Sequence, residues 1–112
     1  MFRGQYEHTM DAKGRISLPA RFREVLASQG EADRVILTRT FQQCLVLYPL
    51  DQWLAFEEKV RALPQFDPAV QQLKRVYIAG ATECSLDSHG RILVPQSMRE
   101  FAQFEREVVW VG

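Results

Sequence analysis

Asp11-Ala12-Lys13-Gly14-Arg15-Ile16-Ser17-Leu18-Pro19 returns 76 residues later as Asp87-Ser88-His89-Gly90-Arg91-Ile92-Leu93-Val94-Pro95. Asp, Gly, Arg, Ile and Pro keep their places, and each proline is followed four residues on by an arginine, Arg23 or Arg99. A match that runs through a turn, a strand and the start of a helix marks a duplicated fold unit. In each copy the glycine supplies the positive φ that a tight turn demands. Arg15–Leu18 and Arg91–Val94 then alternate polar and apolar, as half-buried strands do. Pro19 and Pro95 suit the first turn of a helix, where a missing N–H costs nothing.

Outward from the repeated word, Tyr6–Met10 and Thr82–Leu86 read as the strands entering the two turns. Phe22, Val25 and Leu26 form the apolar stripe of a first short helix, closed by Gly30; Met98, Phe101 and Ala102 do the same for a second, from Pro95 to about Phe101. Each unit is thus strand, turn, strand, short helix. Between the units, Val35-Ile36-Leu37 and Cys44-Leu45-Val46-Leu47-Tyr48 are β-rich runs. Trp53, Phe56, Val60 and Leu63 recur at helical spacing from about Leu50 to Leu63, where Pro64 ends the helix. Asp67-Pro68 opens another, carrying Val70, Leu73, Val76 and Tyr77 as far as Gly80. The chain divides into a first repeat at 1–49, a linking helical hairpin at 50–80 and a second repeat at 81–112. Val108-Val109-Trp110 matches Val35-Ile36-Leu37 at an offset of 73, so copy two is shorter by three residues in a loop. The counterpart of Cys44–Tyr48 would fall beyond Gly112, and the second copy is expected to be C-terminally incomplete.

With 112 residues, 46% of them hydrophobic and 25% charged, the chain can bury one core and is neither disordered nor fibrous. No apolar run reaches membrane-spanning length and the N-terminus is not of signal-peptide type, so a cytoplasmic protein without a membrane partner is expected. Cys44 and Cys84 are read as core residues and Trp53, Phe56 and Trp110 likewise. No metal site is expected from two scattered histidines and two cysteines. Phosphate loops, nucleophile elbows and zinc-protease motifs are missing, and Tyr6-Glu7-His8 reads as a sheet face; no enzyme, cofactor or small-molecule ligand is expected.

The net charge is zero, but residues 1–30 carry five Lys/Arg against three Asp/Glu, leaving the rest net acidic. The basic end holds the first turn. A turn bearing Lys13, Gly14 and Arg15 is thin enough for the DNA major groove, where arginine contacts guanine O6 and N7 in bidentate fashion and lysine suits a phosphate or a base acceptor. His89 and Arg91 take the same places in the second turn. The bland alternative is that Asp11 pairs with Arg15, and Asp87 with Arg91, merely to hold the turn, a surface pair worth about 0–1 kcal/mol. Spacing alone leaves both readings open. Arg21 and Arg23 solvate the first helix, with a phosphate within reach of one of them.

Met1-Phe2-Arg3-Gly4, Asp11-x-Lys13-Gly14-Arg15, Leu18-Pro19-x-x-Phe22-Arg23, Cys44-Leu45-x-Leu47-Tyr48-Pro49 and Leu86-Asp87-x-x-Gly90-Arg91 with Arg99, in this order, resemble the MraZ family over essentially the whole chain. The resemblance implies an α+β fold, a duplicated AbrB-like swapped-hairpin β-barrel decorated by short helices and the linking helical hairpin. It implies a sequence-specific DNA-binding transcriptional regulator, a repressor of its own division and cell-wall operon. It further implies binding to tandem direct repeats in double-stranded promoter DNA as a homo-oligomeric ring associated with the nucleoid. Lys13, Gly14, Arg15, His89, Arg91 and Arg3 are the candidate DNA-binding residues. Two other classes stay in view: an AbrB-like antitoxin module that binds a toxin protein, and a purely structural ring-forming protein.

Overall fold

A computed structural model describes residues 4–28 and 34–111. Gly30, expected to close the first helix, and Arg3 lie outside them. Among the described residues, seven strands and four α-helices follow in the order β1 (Gln5–Thr9), β2 (Arg15–Ser17), α1 (Ala20–Ser28), β3 (Arg34–Arg39), β4 (Leu45–Pro49), α2 (Leu50–Arg61), α3 (Pro68–Leu73), β5 (Thr82–Ser85), β6 (Arg91–Leu93), α4 (Gln96–Phe101) and β7 (Glu107–Val111). The result is a small α+β protein built from short antiparallel sheets and short helices.

The two copies exchange partners. β2 pairs with β6, Ile16 opposite Ile92, and the ladder is extended at both ends by Leu18 N–H to Gly90 O (3.0 Å) and Val94 N–H to Gly14 O (2.9 Å). β1 of the first copy pairs with β7 of the second, and β5 of the second with β3 of the first. The strands on either side of each turn therefore do not form a ladder with each other, as a local hairpin reading would have them. Only the turn itself closes, through Asp11 N–H to Arg15 O and Asp87 N–H to Arg91 O. β4 pairs with β3 on the edge away from β5.

The period-two alternation of β2 and β6 decides where the core sits. Ile16 (3% exposed) and Ile92 (1%) point inward, where Leu18, Leu26, Val35, Leu37, Val94, Met98 and Val108 join them from both repeats. Each such side chain contributes about 1.5–3 kcal/mol on burial, and among the described residues the cluster they form is shared between the repeats. Phe22 lies edge-on between Tyr6 and Trp110, with ring centroids 5.5 and 6.4 Å away. Trp110 is only half-buried, not the full core residue expected: it packs against the edge of the core cluster, with its indole N–H donating to Ser17 O at 3.0 Å. Phe56 is half-buried too, stacked on Tyr48. Cys84 is buried as expected, and burial pushes its thiol pKa up. Cys44 is exposed, contrary to the core reading: it lies one residue before β4, in a turn where Gln43 takes φ 59°.

The linking hairpin departs from a plain helix pair. Asp67 caps α3 by accepting from Ala69 N–H (2.9 Å), with Pro68 in the first turn, as its sequence dictates. The expected continuation to Gly80 is instead a π-helical turn, Lys74–Ile78, closed by Ala79 N–H to Lys74 O. The buried Thr38 hydroxyl donates to Tyr77 O (2.5 Å), tying this irregular turn to β3. An aromatic group of Tyr48, Trp53, Phe56 and Tyr77 fills the space between β4, α2 and the turn. Among the described residues no helix is long and apolar enough to cross a membrane.

Candidate nucleic-acid interface

The two turns are chemically and geometrically alike. In the first, Asp11 Oδ1 accepts from Lys13 N–H (3.0 Å) and Arg15 N–H (2.9 Å), while Oδ2 accepts from Arg15 Nε (2.7 Å). In the second, Asp87 Oδ1 accepts from His89 N–H (2.8 Å) and Arg91 N–H (2.9 Å), and Oδ2 from Arg91 Nε (2.9 Å). Gly14 and Gly90 sit at φ +89° and +73°, a region that penalises any side chain. Each aspartate thus shapes its turn and holds its arginine by the ε-nitrogen. That bond leaves the terminal guanidinium nitrogens of Arg15 outside it, so the ion pair and an outward contact are compatible. Arg91 Nη1 also lies 3.9 Å from Asp11 Oδ2, which links the two turns.

The β2–β6 register sets what the ribbon presents. Arg15 stands opposite Leu93 and Ser17 opposite Arg91, all four on the face away from Ile16 and Ile92. Lys13 and His89 are exposed at the turns, and Arg15 and Arg91 are part-exposed. The structure therefore places Lys13, Arg15, His89 and Arg91 along the β2–β6 ribbon and its two turns with their side chains exposed or part-exposed, whereas Gly14 is buried; Arg3 falls outside the described residues.

Arg23, expected to solvate the first helix, and its repeat counterpart Arg99 belong beside this surface. A Cβ added at Gly14 would lie 2.7 Å from the Arg99 guanidinium carbon, and one at Gly90 would lie 2.4 Å from Arg23 Cδ. Arg99 Nε donates to Val94 O at 3.1 Å. Each turn is thus covered by the helix arginine of the other repeat. The matched spacing of Arg23 and Arg99 behind their prolines is the only trace of this in the sequence, since the contact joins residues far apart in the chain.

The bonds to the turn aspartates have a consequence for acid stability. The Arg15 backbone N–H foremost, with the Arg15 side chain and the Lys13 N–H, lowers the Asp11 pKa to about 2, against a partial opposing effect of burial. Asp87 is lowered in the same way, chiefly by the Arg91 N–H. Because the folded protein holds both carboxylates ionised below their unfolded pKa, their contribution is present above about pH 4 and is lost as pH falls through the folded values, for Asp11 toward about 2. Melting temperature should therefore drop less between pH 4 and pH 2 in Asp11→Asn than in the wild type, since the amide keeps an acceptor oxygen but does not titrate. Parallel melting-temperature profiles over that interval would contradict this role for Asp11.

The model of the MraZ protein family, described as antitoxin-like, matches residues 1–76 and again 77–112. A protein named transcriptional regulator MraZ from Desulfitobacterium hafniense (strain DSM 10664 / DCB-2) is 49% identical over 112 residues, covering 100% of this chain and 75% of that relative. Proteins of the same name from Carboxydothermus hydrogenoformans and Moorella thermoacetica are 45% and 44% identical over the same 112 residues, with the same coverage of 100% and 75%.

Proposed function

The chain belongs to the MraZ family of transcriptional regulators, which are not enzymes, and we propose that it binds promoter DNA through the β2–β6 face and represses its own division and cell-wall operon. The observation that carries this reading is the pair of matched turns, each with an arginine fixed by its aspartate on a common, part-exposed ribbon. A two-stranded ribbon fits the major groove, and an arginine oriented before binding loses less freedom when it contacts guanine. Lys13 suits the phosphate beside that base, and Arg91 and His89 repeat the arrangement one strand away. Arg3 would add a cation at the same basic end. The exchange of strand partners between repeats supports a swapped-hairpin barrel as the frame.

A neutral chain with one or two basic turns makes few phosphate contacts, so useful affinity calls for several subunits on one DNA, each raising the effective concentration of the next. A head-to-tail ring in the cytoplasm, associated with the nucleoid, would present its ribbons with one polarity and favour direct repeats over a palindrome. Repeats spaced by about one helical turn, roughly 10 bp, would then put neighbouring ribbons on one side of the duplex. The test is a footprinting series on DNA from upstream of the chain's own gene. Shifting the repeat spacing by half a turn should weaken binding far more than shifting it by a whole turn. Insensitivity to spacing, or a single repeat bound as tightly as the array, would overturn this mechanism. The antitoxin-like description of the family favours a second reading, a module that binds a toxin protein; phase-dependent promoter binding by the chain alone would count against it as the main role.

A further inference from the structure

The two halves of the ribbon are alike in turn geometry but not in what they present between the turns. The inward positions match, Ile16 with Ile92, whereas the outward position after them is Ser17 in the first repeat and Leu93 in the second. Leu93, the last residue of β6, is 57% exposed, although its chain neighbours Ile92 and Val94 are each 1% exposed. It lies directly across the ladder from Arg15, so the Cβ atoms are about 4.5–5.5 Å apart. Two residues before it on the same face is Arg91. Leu93 is thus a leucine turned away from the core, on the same face of the ribbon as Arg15 and Arg91.

From this placement we infer that Leu93 is a specificity-determining residue that packs against the C5-methyl group of a thymine next to the guanine contacted by Arg15. The thymine methyl is the apolar feature of the major-groove edge, and an apolar side chain is what recognises it. Neighbouring bases on one strand rise by about 3.4 Å, a step that a cross-strand pair of side chains can straddle. Ser17 at the equivalent place in the first repeat offers a hydroxyl instead, so the pseudo-symmetric ribbon reads an asymmetric base sequence. Leu93 can act in this way only if the β2–β6 face meets DNA as proposed above.

The experiment measures binding of the full chain to the shortest footprinted promoter fragment, with each thymine replaced singly by deoxyuridine, which removes one methyl group and nothing else. The wild type should lose about fourfold in affinity at a thymine adjacent to a guanine whose protection depends on Arg15, the effect of one buried methyl. Leu93→Ser should bind that fragment more weakly, melt at the wild-type temperature, and be indifferent to deoxyuridine at that position while keeping any other thymine sensitivity. The inference is overturned if wild type and Leu93→Ser respond alike at every thymine, or if specific binding persists with no thymine dependence at all. Failure of the wild type to prefer any promoter fragment over unrelated DNA would instead overturn the DNA-binding reading itself, and this inference with it.

Discussion

Leu18→Ala is expected to destabilise the protein by about 2–5 kcal/mol and to do so in one cooperative step. Leu18 is 1% exposed and belongs to the cluster in which side chains of both repeats interdigitate. Its own N–H donates to Gly90 O, so it also marks the place where the first repeat's strand runs past the second repeat's turn. A cavity there removes contacts from both repeats at once. Urea denaturation followed by far-ultraviolet circular dichroism should show a lower midpoint with a single transition. Two separable transitions, or a loss below about 1 kcal/mol, would mean that the repeats hold independent cores.

That shared core was only half legible in the sequence. The duplicated word, its turn glycines and the alternation of β2 and β6 could be read directly, because each depends on residues close in the chain. Period-two alternation says which side chains go inward; it does not say which strand lies alongside. The register of β1 with β7, Gln5 to Val111 through Thr9 to Glu107, joins the two ends of the chain and left no local signal. The same limit hid the packing of Arg99 on Gly14 and of Arg23 on Gly90. Cys44 was misread because the run Cys44–Tyr48 is uniformly β-rich, whereas the chain enters β4 only at Leu45. The π-helical turn escaped notice for a different reason: Val70, Leu73, Val76 and Tyr77 keep ordinary helical spacing, and the Thr38 hydroxyl that serves Tyr77 O comes from a strand 39 residues away.

At the candidate site, the aspartates were legible as partners of their arginines, and structural pairing had stood as the alternative to DNA contact. Arg15 turns its Nε toward Asp11 and leaves its terminal nitrogens outside that bond, so structural pairing and the proposed DNA contact would use different atoms of one side chain. A positioned arginine is better suited to reading a base than a free one, because less rotamer freedom remains to be lost. Asp11 and Arg15 are each about one-third exposed, which limits what their pair adds to folding.

The most direct measurement is therefore binding and stability of Arg15→Ala side by side. Affinity for the promoter fragment should fall by about 5- to 150-fold relative to unrelated DNA, corresponding to the ~1–3 kcal/mol of discrimination that a bidentate arginine contact supplies. The melting temperature at neutral pH should stay close to that of the wild type. If instead promoter binding survives while the melting temperature falls sharply, Arg15 serves only to hold the turn, and the β2–β6 face is not the surface that reads DNA.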